Sequence, residues 1–184
     1  MKLFHFPLLL TLLLGPTRAS LFSASDPEHV NEVGIQYLGH VGLAVSDLEK
    51  ALHFYTHQLG LKEAFRLLNP EGTTVVLVYL RVNDNNFVEL FPGATKQSVS
   101  QSNQTGIRHL GFFVKNLQAT LRTLKSRGLA LPDDAFEKAA KVQADGTLLY
   151  FIRDPDGNTI ELSQIPPDSF QAKSRRGVKS VGRF

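Results

Sequence analysis

The sequence predicts an α+β fold built from two tandem β-α-β-β-β modules, and two observations carry this prediction. The stretch "HVGLAVSDL" (40–48) recurs 69 positions later as "HLGFFVKNL" (109–117), with His, Gly, Val and Leu in the same spacing. The same order of periodic segments follows each copy, and a repeat of this kind fixes an architecture. With 184 residues and 42% apolar composition, the chain can bury one core shared by two such modules.

Module one begins with the strand "YLGHVGLAV" and continues as a helix over 48–58. Ser46 or Asp47 caps this helix, whose apolar residues recur with a 3.6-residue period, and Gly60 ends it. Three more strands follow as "LKEAFRLL", "TTVVLVYLRV" and "NFVELF". The turn sequences "NPEG" and "NDNN" separate them.

Module two repeats this order with a strand over 108–115, Asn116 as cap, a helix over 117–127 and Gly128 as its end. "KAAKVQA" predicts a weaker second strand, although "DAFEKAAK" fits a short helix equally well. "TLLYFIR" and "NTIELSQ" form the last two strands, joined by the turn "DPDG". Each helix therefore covers one face of a four-stranded sheet. The other face is left for the second module, another subunit or a ligand.

The ends of the chain differ from this body in composition. Lys2, an apolar run from Leu3 to Leu14 and small residues around Ala19 are typical of a secretory signal peptide. The run is shorter than the ~20 residues of a spanning helix. We therefore expect no membrane span and an exported protein, either secreted or periplasmic. The predicted organisation is a signal peptide 1–20, a flexible leader 21–36, a single domain 37–165 (module one 37–92, linker 93–106, module two 107–165) and a basic disordered tail 166–184.

Composition and motifs exclude several classes of function. The chain has no cysteine, so it has neither a cysteine nucleophile nor disulfides to support an exported fold. No basic patch is interleaved with aromatic residues, so nucleic-acid binding is not predicted. A "GxSxG" elbow and a phosphate-binding Gly-rich loop are also missing from the sequence. Hydrolase and nucleotide-binding functions therefore lack the residues they would need.

Strand parity indicates where the first histidine of the repeat points. Side chains alternate across a strand, so Val41, Leu43 and Val45 share the face on which the helix packs. His40 and Gly42 point to the opposite, open face. The sequence therefore predicts an imidazole beside a small residue on the uncovered side of the sheet.

The second copy and the two fourth strands follow the same parity. His109 and Gly111 point away from their helix, as do Glu89 and Glu161, which are 72 positions apart. Each sheet therefore presents one His and one Glu on its open face, beside small residues that leave room for a ligand.

Two imidazoles and two carboxylates on these faces predict a metal site. A buried carboxylate without compensation is costly, and a divalent cation is one way to offset that cost. Mixed nitrogen and oxygen ligands suit Ni, Co, Zn, Mn or Fe(II) better than Ca. The alternative is four polar residues at strand ends that form two ordinary salt bridges. We predict one divalent ion per site, held within one chain or across a dimer, with the ligands His40, Glu89, His109 and Glu161.

With these residues in place, the chain resembles the vicinal oxygen chelate superfamily over about residues 37–165. The stretches "HVGLAVSDLEKALHFYTHQLGL", "FVELF", "IRHLGFFV" and "FIRDPDGNTIEL" carry the resemblance. It implies two tandem modules that form a cupped mixed β-sheet around a metal, with the helices on the outer face. The order His, Glu, His, Glu resembles bacterial-type glyoxalase I. The epimerases of the superfamily have Gln in the second place, and its dioxygenases use two His and one Glu.

The resemblance also implies a reaction. It suggests a metal-dependent, glyoxalase I-like lyase or isomerase (lactoylglutathione lyase-like) that acts on a small vicinal-oxygen substrate through a metal-stabilised enediolate. Glu161 is then the expected base and Glu89 its counterpart that returns the proton. An extradiol dioxygenase that uses Fe(II), and a non-catalytic protein that binds a small molecule such as an antibiotic, stay open as alternatives. The expected partner is a small-molecule substrate, and a second copy of the chain joins it if the site lies across a homodimer.

Some residues depart from the glyoxalase I pattern. Ala44, Gly93 and Thr105 stand where those enzymes carry the residues that hold glutathione, although Arg108 lies near the third position. The resemblance therefore supports the metal site better than it supports glutathione as part of the substrate.

Two other groups of residues allow two interpretations each. His53 and His57 have the i, i+4 spacing of a helical zinc pair, but they lie opposite the apolar stripe of their helix. A solvated helix face is favoured for them. Phe87, Phe91 and Phe113 share the parity of the ligands, and they either wall a substrate pocket or pack between the modules.

Overall fold

The computed structural model describes residues 32–95, 105–135, 137–141 and 144–176. The predicted signal peptide and most of the predicted leader lie outside these residues. The chain divides into two units, Met1–Tyr37 and Leu38–Phe184. The described part of the first unit contains no helix or strand, and the second unit holds both predicted modules. Within the described ranges, no helix combines the length and the apolar character needed to cross a membrane.

Module one forms a four-stranded mixed sheet in the order β1-β4-β3-β2, in which β1 and β4 run parallel. Asp47 caps the helix by accepting a hydrogen bond from the Lys50 backbone N–H at 3.1 Å, as predicted. Gly60 follows the helix with a φ of 82°, a conformation that glycine adopts without strain. The elements are β1 His40–Val45, α1 Leu48–Leu52 with a π-helical continuation His53–Gln58, β2 Lys62–Leu68, β3 Val75–Arg81 and β4 Phe87–Pro92.

Module two has the same topology, with a sheet in the order β5-β8-β7-β6 and a parallel pair β5–β8. Asn116 caps its helix by accepting from the Ala119 N–H at 2.8 Å. The weak second strand is confirmed, although it is only two residues long. The elements are β5 Leu110–Phe113, α2 Leu117–Ser126, β6 Ala140–Lys141, β7 Leu148–Arg153, β8 Thr159–Gln164 and a further helix α3 Phe170–Ser174.

A single hydrophobic core unites the two modules. Of the helix-facing residues predicted on the first strand, Val45 is buried in this core, Leu43 packs against it and Val41 is half-buried. Side chains of both helices belong to the same core. The alternate residues His40 and His109 are exposed, which confirms the face of the sheet predicted for each of them. The buried core includes Val45, Ala51, Phe54, Tyr55, Val78, Leu80, Val88, Leu90, Leu117, Leu121, Leu124, Ile152, Ile160 and Leu162.

A buried hydrogen bond joins the helix of module one to the turn before β8. The Tyr55 hydroxyl donates to Asp154 Oδ2 at 2.9 Å, and both residues are buried. Burial and the adjacent Asp154 charge raise the pKa of Tyr55, so its hydroxyl stays a donor. Asp154 also accepts from the backbone N–H groups of Asp156 and Asn158, at 3.0 and 2.7 Å, and from the Asn158 side chain. One carboxylate therefore fixes the turn that leads into the strand of Glu161.

The region after module two differs from the expectation of a disordered tail over 166–184. Ser169 is fully buried and caps α3 by accepting from the Ala172 N–H at 3.1 Å. The N–H of Phe170 donates to Asp145 Oδ2 at 3.0 Å. These hydrogen bonds, one of which reaches a residue 25 positions earlier, order the segment up to residue 176. The basic composition of the segment does not predict them.

Candidate functional site

His40 and Glu89 lie side by side on the open face of the first sheet, and we call them half-site one. Gly42 on β1 is the register partner of Glu89 on the adjacent parallel β4. His40 Nε2 lies 3.7 Å from Glu89 Oε2. The Glu89 side chain is 7% exposed, whereas the imidazole is 55% exposed. A nearly buried carboxylate thus faces an accessible imidazole.

His109 and Glu161 form the equivalent pair on the second sheet, half-site two. Gly111 and Glu161 are register partners on the parallel strands β5 and β8. His109 Nε2 lies 3.2 Å from Glu161 Oε2, and the Glu161 side chain is 18% exposed. The repeat therefore builds the same donor pair twice from the same two strand positions.

Both pairs fit a divalent metal by donor type and by spacing. Ligand bonds of about 2.1 Å put two adjacent donor atoms about 3.0 Å apart in octahedral geometry and about 3.4 Å apart in tetrahedral geometry. The pair distances of 3.2 and 3.7 Å lie at or just beyond these values. An imidazole nitrogen with a carboxylate oxygen is the donor set of Ni, Co, Zn and Mn sites.

The two half-sites do not merge within one chain. In the part of the chain that the structure describes, no group of three or more His, Cys, Asp or Glu residues could hold a metal ion. The four predicted ligands are thus brought together as two pairs and not as one cluster. His53 and His57 are exposed on the helix of module one, with ring centres 4.8 Å apart, as expected of a solvated face.

Tyr79 is a site residue that the sequence analysis missed. It is the register partner of Glu89, and its hydroxyl donates a hydrogen bond to that carboxylate, which raises the pKa of the tyrosine. Its ring stacks on Phe65 at 4.3 Å and meets the His40 ring edge-on at 6.1 Å. Phe151 holds the equivalent position opposite Glu161 and meets His109 edge-on at 6.0 Å. Tyr79 and Phe151 are 72 residues apart, as are Glu89 and Glu161, and this equal spacing could have identified the two aromatic residues from the sequence.

Ser163 supplies the hydroxyl that Phe151 lacks. Its Oγ donates to Glu161 Oε1, and the serine is 1% exposed. It lies two residues after the glutamate on β8, so strand parity already placed it on the same face. Hydrogen bonds of this kind orient a carboxylate before it binds a metal.

The small residues beside the two glutamates are not equivalent. A Cβ added to Gly42 would come within 3.0 Å of the Phe91 ring and 3.3 Å of Glu89 Oε2. A Cβ added to Gly111 would meet no atom within 4 Å. Half-site one is therefore packed tightly around its carboxylate, whereas half-site two has free space.

Aromatic side chains line the rest of the open faces. Phe65, Phe91, Phe113 and Phe151 are between 41% and 56% exposed. Phe91 and Phe113 thus keep about half of their surface open to solvent, and the choice between a pocket wall and packing between modules stays a prediction. A cleft of about 320 Å³ lies between the edge strands of the two sheets, lined by residues 41–44, 107–110 and 158–160.

Comparison with known proteins agrees with this architecture. The family model described as "Glyoxalase/Bleomycin resistance protein/Dioxygenase superfamily" matches residues 37–162, which is most of the chain. The chain belongs to this superfamily. The match covers both modules and all four candidate ligands.

The individual relatives are enzymes named for more than one activity. Lactoylglutathione lyase of Salmonella typhimurium is 28% identical over 67% of this chain and 88% of the relative. Mitochondrial methylmalonyl-CoA epimerase of Bos taurus is 31% identical over 80% of this chain and 84% of the relative. Among solved structures, the crystal structure of SMU.1112c has a TM-score of 0.60 at 26% identity and covers 71% of this chain and 99% of that chain.

Proposed function

We propose that this protein is a metal-dependent, glyoxalase I-like lyase or isomerase that acts on a small substrate with vicinal oxygens. One observation carries the proposal: a His–Glu pair stands at the same register position on the open face of each sheet, with 3.7 Å and 3.2 Å between the donor atoms. The relatives named lactoylglutathione lyase support the same class of reaction.

We further propose that half-site one of one chain combines with half-site two of a second copy. Each chain offers two incomplete pairs, and a two-fold dimer would join them into two equal sites. The exposed aromatic residues of the open faces, Phe65, Phe91 and Phe151 among them, would lose water contact in such a dimer. A four-ligand site would then have the donors His40, Glu89, His109 and Glu161.

The protein residues would supply binding and proton transfer. When bound, a divalent ion supplies Lewis-acid stabilisation for the negative charge that develops on the substrate oxygens. Glu161 would take the carbon-bound proton, because its side chain is the more accessible of the two glutamates, 18% against 7%. Glu89, held by the Tyr79 hydroxyl, would face the neighbouring carbon and return the proton. The aromatic side chains would limit access of water to the charged substrate.

The reaction is tested directly with the hemithioacetal of methylglyoxal and glutathione as substrate. Purified protein loaded separately with Ni and Zn should form lactoylglutathione. Stoichiometric metal binding without product would contradict this substrate. Racemisation of methylmalonyl-CoA would then indicate the epimerase activity suggested by the 31% identical relative. Oxygen uptake with catechols under Fe(II) would indicate a dioxygenase. A protein that stays metal-free after refolding with Ni, Mn or Fe would favour sequestration of a small molecule.

The role of Glu161 is tested with Glu161→Gln, which keeps the size of the side chain and an oxygen ligand but cannot take a proton. We expect turnover to fall by about 10³-fold or more. Most of the metal should stay bound in elemental analysis. Retained turnover at wild-type metal content would assign the base to another residue.

A further inference from the structure

The helix α3 is held against module two by its own polar contacts. The carboxylate of Asp145 accepts hydrogen bonds from the backbone N–H groups of Thr147 and Phe170, both at 3.0 Å. Burial alone would raise the pKa of Asp145, but these hydrogen bonds hold it below the usual value. Arg176 donates to the carbonyl of Pro167 at 3.0 Å and closes the other end of the segment. The residue that follows α3 thus has a defined position.

That residue is Arg175, and it reaches the open face of the second sheet. Its guanidinium carbon lies 5.4 Å from the centre of the Phe113 ring. Phe113 is 56% exposed and is the register partner of Ser163, the residue whose hydroxyl donates to Glu161. Successive residues on one face of a strand are about 7 Å apart. The row of Phe113 and the row of Glu161 are therefore neighbours on this face of the sheet.

The guanidinium of Arg175 keeps its donors available. A cation–π contact uses the positive charge but none of the five N–H donors. None of the ion pairs among the described residues includes Arg175. Two other arginines on the open faces are engaged: Arg81 lies 4.0 Å from Asp84, and Arg153 donates to the Gly157 carbonyl at 2.8 Å.

We propose that Arg175, seated on Phe113, binds an anionic group of the substrate, so that the natural substrate is a vicinal-oxygen compound carrying a carboxylate. This inference rests on the proposed function, since it places the carboxylate one sheet row away from the oxygens that face Glu161. A guanidinium binds a carboxylate through two parallel hydrogen bonds, and its position on an aromatic ring reduces the freedom lost on binding.

Two hydroxamates test this inference without any turnover. Both present vicinal oxygens, but acetohydroxamate is uncharged at its other end and succinohydroxamate ends in a carboxylate. Their affinities for the Co(II)-loaded full chain are measured by the change in the cobalt absorption spectrum. We expect the wild-type protein to prefer succinohydroxamate about tenfold. Arg175→Gln should abolish this preference and leave the affinity for acetohydroxamate unchanged.

Lys115→Gln is the matched control, because it removes a positive charge from an exposed side chain two residues after Phe113 and should keep the preference. Phe113→Leu keeps the charge, removes the ring and should lose part of the preference. A wild-type protein without preference, or an equal loss in Arg175→Gln and Lys115→Gln, would overturn the inference while the metal site stands. Failure of the full chain to bind cobalt would overturn the proposed function and this inference together.

Discussion

The two half-sites carry the same pair of ligands on equivalent strands of their modules. They differ in the residue whose hydroxyl donates to the glutamate. In half-site one, Tyr79 donates to Glu89 from the neighbouring strand β3. In half-site two, Ser163 donates to Glu161 from β8 itself, and Phe151 stands opposite without a donor. The two modules thus share the position of the His–Glu pair and differ in the strand that supplies the hydroxyl donor.

The aromatic residue beside each half-site also lies on a different strand in the two modules. Two residues beyond the ligand glutamate, half-site one has Phe91 and half-site two has Ser163. On the edge strand beside them, the same row has Ala44 in the first module and Phe113 in the second. Each row therefore keeps one aromatic and one small side chain. The comparison shows that two different packing solutions support one His–Glu geometry, and that each can be disturbed without the other.

The largest expected effect follows from removal of the Asp154 carboxylate, which fixes the turn before the strand of Glu161. Asp154→Ala would leave the Tyr55 hydroxyl and the donors of Asp156 and Asn158 without their partner. We expect the free energy of unfolding to fall by about 3 kcal/mol, since unsatisfied buried donors are costly. Chemical denaturation measures this. Tyr55→Phe removes one hydrogen bond and should cost about 1 kcal/mol. An equal or larger loss in Tyr55→Phe would contradict the central role of Asp154.

Removal of the hydroxyls should weaken metal binding in either half-site. Tyr79→Phe removes a hydroxyl that donates to Glu89, and Ser163→Ala removes one that donates to Glu161. We expect each change to weaken metal binding by about 10- to 100-fold. Competition with a chromophoric chelator measures it. Unchanged affinity in both variants would show that the hydroxyls do not orient the ligands.

The same comparison offers a rescue. Phe151→Tyr places a phenol opposite Glu161, in the arrangement that half-site one uses for Glu89. The double variant Ser163→Ala/Phe151→Tyr should therefore recover most of the affinity that Ser163→Ala loses. No recovery would mean that the two supports are not interchangeable.

The smallest expected effect is a difference in stability between alanine substitutions at Gly42 and Gly111, the glycines beside the two glutamates. Gly42→Ala forces Phe91 or the Glu89 carboxylate to move, so we expect a loss of about 1 kcal/mol in stability. Gly111→Ala meets open space and should stay within about 0.5 kcal/mol of the wild type. Thermal unfolding of the two variants measures the difference. Equal losses would contradict the tighter packing of half-site one.

Much of the fold followed from periodicity and the repeat. Strand parity placed His40, Glu89, His109 and Glu161 correctly on the open faces, because each strand has one face in a buried core. Parity says nothing about residues on other strands, so the pairing of Tyr79 with Glu89 needed the register of β3 against β4. A sheet register depends on long-range contacts, which a single sequence does not contain.

The ends of the chain were the least predictable part. The basic composition after residue 166 favours disorder, whereas buried Ser169 and the carboxylate of Asp145 order α3. Asp145 and its partner Phe170 are 25 residues apart in sequence, and no periodic signal links them. Whether the ligand pairs meet within one chain was equally open at the level of sequence, because a repeat gives two matching pairs in either arrangement.

A mixing experiment tests the central claim, that half-sites from two chains build each metal site. His40→Ala/Glu89→Ala lacks half-site one, and His109→Ala/Glu161→Ala lacks half-site two. Each variant alone should bind no metal and have no activity. After unfolding and refolding of a 1:1 mixture, random pairing gives heterodimers in which one of two sites is intact. We therefore expect about a quarter of the wild-type metal content and activity. A mixture as empty as either variant alone would contradict the two-chain site.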